Sequence, residues 1–327
     1  EAAEQAAMTA RAVALPASSA AHLRPFDPRR DLLAVADLVE LCFRDTLDAD
    51  GHLYIQQLRY SARAGSVTSL GQRRSQRMSG YVWTEAGRVV GNLSVIPHQR
   101  GQRRIHLIAN VAVHPDYRRR GIAQALTEAM LADKSIRPKD EVWLQVDERN
   151  QAAIQLYENM GFEEVFRRTS WRGRPGPSSS TRQDDIVIRK RRDADWRHQR
   201  PWLRRLYPDT VTWNLPLEAD LLLPGWRGRF NRFFGDRMVR QWAAVRGRDV
   251  LSILSWQSST LANDRLWLAA PEQADEDAVS ALLQHVRTEA PLERSMALNL
   301  PAGFMDAAMY AGAFQPRRTL IWMRTHR

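Results

Sequence analysis

The chain has 327 residues, 44% of them hydrophobic, a formal net charge of +11 and a single cysteine, Cys42. That length is ample for packed cores and points to two domains, because one domain ordinarily takes roughly 150 residues, and one cysteine excludes a disulfide framework or a cysteine metal cluster. Charge breaks every apolar run well before the ~18 residues that a membrane helix needs, and the Ala-rich stretch 1–20 lacks the basic start and apolar core of a signal peptide, so no membrane partner and cytoplasmic residence are the expectation.

Residues 1–20 read as a flexible extension, after which His22-Leu23-Arg24-Pro25 opens a first strand. Asp31 to Phe43 is an amphipathic helix with Leu32, Leu33, Val35, Ala36, Val39 and Leu41 on its apolar side, and Cys42 reads there as a core thiol. A second helix is predicted over about His52 to Ala62. Tyr81 to Glu85 and Val89 to Ile96 form a hairpin across Ala86-Gly87 and feed a buried strand, Ile105 to Val113, which Pro115 ends because proline cannot donate to a sheet ladder. A helix begins at about Ile122, with Ile122, Leu126, Ala129 and Met130 on one face. Glu141 to Val146 is a short strand, Asn150 to Met160 a helix capped by Asn150, and Gly161-Phe162 closes it before a strand through Val165, Phe166 and Trp171. Gly173 to Asp185 is rich in Gly, Pro and Ser and reads as a linker between domains at 21–172 and 186–327.

The second domain repeats the plan of the first. Asp185 to Arg189 restarts a strand, Trp196 to Leu206 a helix, and Arg240 to Val245 with Val250 to Ser255 a hairpin. Leu266 to Ala270, ended by Pro271, matches the strand ended by Pro115, and Val279 to Val286 matches the helix after it. The turn between them carries Glu272, Asp275, Glu276 and Asp277, acids that suit a helix N-terminus but would repel a phosphate. Met296 to Leu300 parallels the Trp143 strand and Ala313-Phe314 parallels Gly161-Phe162, which brings Met309, or Tyr310 if shifted by one, to the position of Tyr157.

Most of the chemistry lies between Val113 and Ile122. Arg118, Arg119 and Arg120 lead to Gly121, which can take backbone angles that a side chain forbids, and the amides of such a turn at a helix N-terminus make an anion site. No Gly-Lys-Ser/Thr follows, so this is not the nucleotide P-loop. The third glycine of a dinucleotide fingerprint is also missing. Arg118-x-x-Gly121-x-Ala123 after Val111-Ala112-Val113 instead resembles the pyrophosphate loop of the GNAT acyl-CoA-dependent N-acetyltransferases. The string Asn150-x-x-Ala153-x-x-Leu156-Tyr157-x-x-x-Gly161-Phe162 resembles the same family, at the expected distance.

The resemblance implies an α+β fold, here two tandem GNAT folds, each a mostly antiparallel splayed central sheet flanked by helices, the second copy degenerate. It implies acetyl-CoA as co-substrate, its pantetheine arm laid along Val111, Ala112 and Val113, its pyrophosphate held by Arg118, Arg119, Arg120, Gly121, Ile122 and Ala123, and Asn150 on the pantetheine side. An amide near Val111 would meet the thioester oxygen, and Tyr157 would protonate the departing thiolate; the other reading of Tyr157 is a core tyrosine beside Ala153, Ile154 and Met160. The first two helices would wall the acceptor site. Gln145 stands where ribosomal-protein N-terminal acetyltransferases place a glutamate, and glutamine cannot accept a proton, so a water-relayed base or an amine of low pKa is expected; Asp147, Glu148 and His106 read as surface or capping residues. The tandem plan also resembles mycothiol synthases. Against the acetyltransferase reading, with a small-molecule or protein amine as acceptor, stands a non-catalytic acyl-CoA-binding or regulatory protein.

Other partners are less expected. The 48 Lys and Arg include only three lysines, and the run from Arg189 to Arg205, with Trp196 and Trp202, reads as a solvated helix face over two buried tryptophans rather than a nucleic-acid surface. The eight histidines show no metal-binding spacing, so no metal is expected. The second domain would brace the first, lend loops to the acceptor cleft or make a homodimer.

Overall fold

A computed structural model describes residues 21–47, 49–63, 79–177, 185–215, 217–225, 238–291 and 293–326. The extension expected at 1–20 and most of the expected linker lie outside the described residues. The fold is mixed α/β and falls into two compact units, one comprising residues up to Val165 with Trp322–Arg327, the other Phe166–Ile321. The division therefore falls at Val165/Phe166 rather than in the glycine-rich stretch, since the strand that begins after Phe162 runs on from one unit into the other.

The first unit starts with β1 (Leu23–Pro25), α1 (Pro28–Phe43) and α2 (Ala49–Arg63). Asp27 caps α1 by accepting from the Arg29 amide, Pro28 begins it, and the Arg24 guanidinium grips Asp31 in its first turn with two bonds of 2.6 and 2.8 Å. Its buried stripe is Leu32, Val35, Ala36, Leu38 and Val39; Leu33 and Leu41, expected on that side, fall off the stripe and are exposed. Arg59 of α2 reaches both Asp37 and Glu40 of α1, which sets the two helices side by side.

β2 (Ser79–Glu85) and β3 (Arg88–Arg100) join through Ala86 and Gly87, both left-handed as a tight hairpin turn requires. β4 (Arg103–Val113) follows, then α3 (Ile122–Leu131), β5 (Glu141–Asp147), α4 (Gln151–Asn159) and the start of β6 (Glu163–Gly173). The strands lie in the order β1-β2-β3-β4-β5, and the neighbour of β5 is β12 (Phe314–His326), whose residues from Trp322 onward belong to this unit. There the Trp322 ring meets Trp143 of β5 edge-on at 6.5 Å and the Arg324 guanidinium lies 5.5 Å over the same ring.

The second unit has β7 (Ile186–Lys190), α5 (Trp196–Leu206), the short α6 (Asp209–Thr212), β8 (Val239–Arg246), β9 (Asp249–Gln257), β10 (Asn263–Ala269), α7 (Glu276–Glu289), β11 (Ser295–Pro301) and α8 (Asp306–Ala311). Its strand order is β6-β11-β10-β9-β8-β7. Trp196 and Trp202 of α5 pack on its core while Arg197, Arg200 and Arg204 are exposed, so these three arginines form the outer face of a core helix, whereas the Arg191 side chain is buried.

Trp322 is 2% exposed. Trp322→Ala should cost about 3–5 kcal/mol through the cavity it leaves, and a urea titration that follows tryptophan fluorescence would read this as a lowered midpoint.

Candidate active site

β4 and β5 are parallel neighbours only from Ile105↔Glu141 to Ile108↔Leu144. Beyond that pair both strands continue, β4 to Val113 and β5 to Asp147, so the sheet opens into a split whose β4 arm carries Val111, Ala112 and Val113. A bulge starts the opening: Ala109 and Ala112 face Ser94 and Asn92, which leaves Asn110 and Val111 opposite a single residue. Asn110 is left-handed, with φ of 51°. The buried Asn92 side chain holds this bend by donating to the Asn110 carbonyl at 2.9 Å, and the Asn110 amide donates to the Tyr54 hydroxyl at 3.4 Å. Burial raises the Tyr54 pKa, so Tyr54 stays a neutral phenol in the wall made by α2.

The arm leads directly into the arginine turn. The Val113 carbonyl accepts from Arg118 Nε at 3.2 Å and from the Cys42 thiol at 3.3 Å, which ties the end of β4 to α1. Arg120 stacks 4.9 Å over Tyr117 and bonds the Asp116 carbonyl. Arg118, Arg119, Arg120 and Gly121 are exposed, whereas Ile122 is buried and Ala123 half-buried. Gly121 is the N-cap of α3 with φ of 75° and no side-chain cap, so the first amides of the helix have no oxygen supplied by a capping residue. Where a Cβ at Gly121 would stand there is open space within 4 Å. An uncapped helix start with three guanidiniums beside it and no side chain in front suits a doubly charged phosphate.

On the other arm, Asn150 caps α4 by accepting from the Ala153 amide at 3.2 Å, and Gly161, with φ of 81°, ends that helix. Tyr157 is 6% exposed with its ring edge-on to Phe162 at 5.8 Å, and burial pushes its pKa up to about 12. The ring is thus part of the core, and the hydroxyl keeps its proton across the physiological range.

Three residues considered as bases are engaged elsewhere or exposed. Asp147 is paired with Arg149 at 2.9 Å, Glu148 is half-exposed next to it, and His106 bonds Asp140 at 2.9 Å at the paired end of β4. His106 there lines a cavity of about 330 Å³ together with Tyr81, Met130 and Asp133, none of them at the split. Gln145 lies on β5 just past the last paired residue, and its Nε2 is buried without a hydrogen-bond partner among the described residues. Among the described residues no cluster of His, Cys, Asp and Glu could hold a metal ion.

The second unit has the same split. β10 and β11 are parallel from Asn263↔Ser295 to Leu266↔Leu298, then part. Here the opening is filled from within: the Tyr207 hydroxyl accepts from the Leu268 amide at 3.3 Å, and Arg168 Nη1 holds the Leu206 carbonyl at 3.0 Å. Arg205 bonds the carbonyls of Ala270 and Pro271 at 2.9 and 2.7 Å. The pairing of β10 with β9 runs from Arg265↔Gln257 to Ala269↔Ile253 without a bulge. Asp275 caps α7, accepting from Ala278 and pairing with Arg246. The Ala313 amide bonds the Tyr310 carbonyl as Gly161 bonds Glu158, and both residues are left-handed, which makes the buried Met309 the counterpart of Tyr157.

A splayed parallel pair with an anion-binding turn at its mouth is the architecture of the GNAT acyltransferases, and residues 77–164 match the family model of the acetyltransferase (GNAT) domain. Residues 77–164 carry a GNAT acetyltransferase domain, and the chain shares the fold of tandem GNAT structures over 93% of its length. It is 38% identical to the ribosomal protein bS18 alanine N-acetyltransferase of Escherichia coli over 79 residues, 24% of this chain and 51% of that enzyme. It is 31% identical to the mycothiol acetyltransferase of Thermobispora bispora over 147 residues, 43% of this chain and 46% of that protein. The chain thus spans about half the length of these curated relatives. A tandem GNAT protein from the clavulanic acid biosynthesis pathway superposes with a TM-score of 0.51 at 17% identity, covering 93% of this chain and 98% of that one.

Tyr207→Phe should leave the Leu268 amide without its partner and destabilise the protein by about 1–3 kcal/mol; thermal unfolding would show the loss.

Proposed function

We propose that the first unit is an acetyl-CoA-dependent N-acetyltransferase and that the second is a degenerate copy without a cofactor site. One observation carries this reading: in the first unit the unpaired arm of β4 runs through a left-handed arginine turn into an uncapped helix, and in the second the corresponding arm is occupied by Tyr207 and Arg205 and its helix begins with acids.

Arg118 to Ala123 would hold the pyrophosphate, and the edge of Val111, Ala112 and Val113 would pair with the pantetheine amides as an added strand does, with Asn150 opposite. The acceptor is a primary amine of a small molecule or a protein. Its nitrogen lone pair attacks the thioester carbonyl carbon within a ternary complex, and the Val111 amide steadies the oxyanion. The carbon–sulfur bond then breaks, Tyr157 gives its proton to the sulfur, and the amine nitrogen loses its proton through water, leaving an amide and free CoA. No carboxylate stands at position 145, so the acceptor enters unprotonated or loses its proton to a relayed base.

Gln145 favours a second reading, a protein that binds acyl-CoA without turning it over. Release of CoA thiol on addition of an amine separates the two, and its absence with a panel of amines would leave only the binder. In calorimetry the chain should take one acetyl-CoA, not two, and Gly121→Asp should weaken binding at least about tenfold by setting a carboxylate at the phosphate site. Tyr157→Phe should lower kcat by about 10²-fold while leaving acetyl-CoA affinity intact. With the phenol pKa pushed up to about 12, loss of the acid form should leave the rate flat on its account up to about pH 11, so an alkaline fall near neutrality would assign it to another group.

A further inference from the structure

We propose that the cavity at the end of α3 is a second binding site of the first unit, separate from the split, and that it takes a small organic cation with N–H donors on a short apolar body. The inference stands apart from the acyl-transfer reading and holds whether or not that reading does.

The cavity measures about 330 Å³, and pockets of roughly 300–1,000 Å³ are those that hold small molecules. Phe26, Val95, Pro97, Met130 and Ile136 give it apolar walls, while Tyr81, His106 and Asp133 supply polar groups. It lies at the paired end of β4, where His106 stands opposite Val142, ahead of the point at which β4 and β5 part after Ile108 and Leu144.

The charge inside runs against the charge of the chain. The sequence holds 48 lysines and arginines against 37 acids, yet the described lining residues include the Asp133 carboxylate and no lysine or arginine. Asp133 Oδ2 accepts from the Tyr81 hydroxyl at 2.7 Å and Oδ1 from the Ser135 amide at 2.8 Å. Both of these donors are neutral, and neither cancels the charge. Burial and the carboxylate together raise the Tyr81 pKa, which keeps that hydroxyl a donor. His106 adds an acceptor: its Nε2 meets Asp140 Oδ2 at 2.9 Å, and because a carboxylate only accepts, Nε2 carries the proton and the neutral ring keeps a lone pair on Nδ1. Among the described residues the ring forms no other hydrogen bond. A carboxylate and an imidazole lone pair within apolar walls suit a positively charged N–H donor, whereas an anion would meet repulsion from Asp133 and a neutral molecule would forgo the charge-assisted bond.

Calorimetric titration of the full chain, without cofactor and in about 0.15 M salt to screen its net charge, would use benzamidine and its uncharged isostere benzamide. Benzamidine stays an amidinium at neutral pH and has no amine lone pair to offer a thioester, so it is not an acyl acceptor. It should bind at least about tenfold more tightly than benzamide, the worth of one charge-assisted hydrogen bond. Asp133→Asn, which keeps an oxygen for Tyr81, should bring benzamidine down to the level of benzamide while benzamide itself binds as before, which shows the cavity intact. His106→Gln, whose amide can still donate to Asp140, should weaken benzamidine several-fold by removing Nδ1. Ser135→Trp, at an exposed position on the rim, should exclude both probes, and Tyr157→Phe should affect neither. Equal affinity for the two probes, no heat from either, or benzamidine binding lost in Tyr157→Phe would overturn the proposal. Should Asp133→Asn lose benzamide as well, Ser135→Trp decides, since benzamidine binding that survives it also overturns the proposal.

Discussion

Everything at the site depends on the point at which two parallel strands stop pairing. From Ile108 and Leu144 onward, β4 and β5 leave main-chain donors and acceptors facing a gap, and unpaired backbone inside a protein has to be met by something. The bulge at Asn110 and Val111, in the ladder with β3, lies just past the last residue paired with β5, and the extra residue bends β4 at that point. A buried asparagine holds the bend in place, so the opening is built into the packed interior and does not rely on a mobile loop.

The two units answer the same opening in opposite ways. In the first, the neighbouring turn presents positive charge and an uncapped helix start, and Tyr157 nearby is a phenol kept neutral by burial. In the second, a tyrosine hydroxyl and arginine donors from the end of α5 satisfy the exposed edge of β10, and burial brings the Arg168 pKa down to about 10 and the Tyr207 pKa up to about 12. Placing such groups inside costs solvation energy, which their hydrogen bonds offset. A sheet that has closed its own gap keeps the architecture while giving up the space that a ligand would need.

Much of this is legible in the order of the amino acids. The hairpin at Ala86-Gly87, the ends set by Pro115 and Gly161, the cap at Asn150 and the helix from Ile122 all follow from local turn and capping chemistry, and each lies within a few residues of the expected place. The acid-led helix of the second half is equally plain from composition. What lies beyond reach depends on distant parts of the chain. Alternation and spacing do not reveal that Tyr207 reaches Leu268, that Tyr54 meets Asn110, or that Trp322 and Arg324 flank Trp143, because these contacts are set by how elements pack and not by their own residues. The division at Val165 is hidden for the same reason: a glycine-rich stretch signals a flexible connection, whereas the unit boundary falls inside a regular strand.

The strand that ends at His326 gives the first unit a dependence on time as well as on space. A ribosome makes residues 23–165 long before it makes 322–326, so until then β5 lacks its neighbour β12 and Trp143 the ring of Trp322. Closing that edge means gathering residues across a separation as long as the whole second unit, a slow step for a folding chain. During that interval the exposed edge is open to pairing with other chains. Folding of the second unit, which carries β12 up to Ile321, would therefore set the pace at which the first becomes complete.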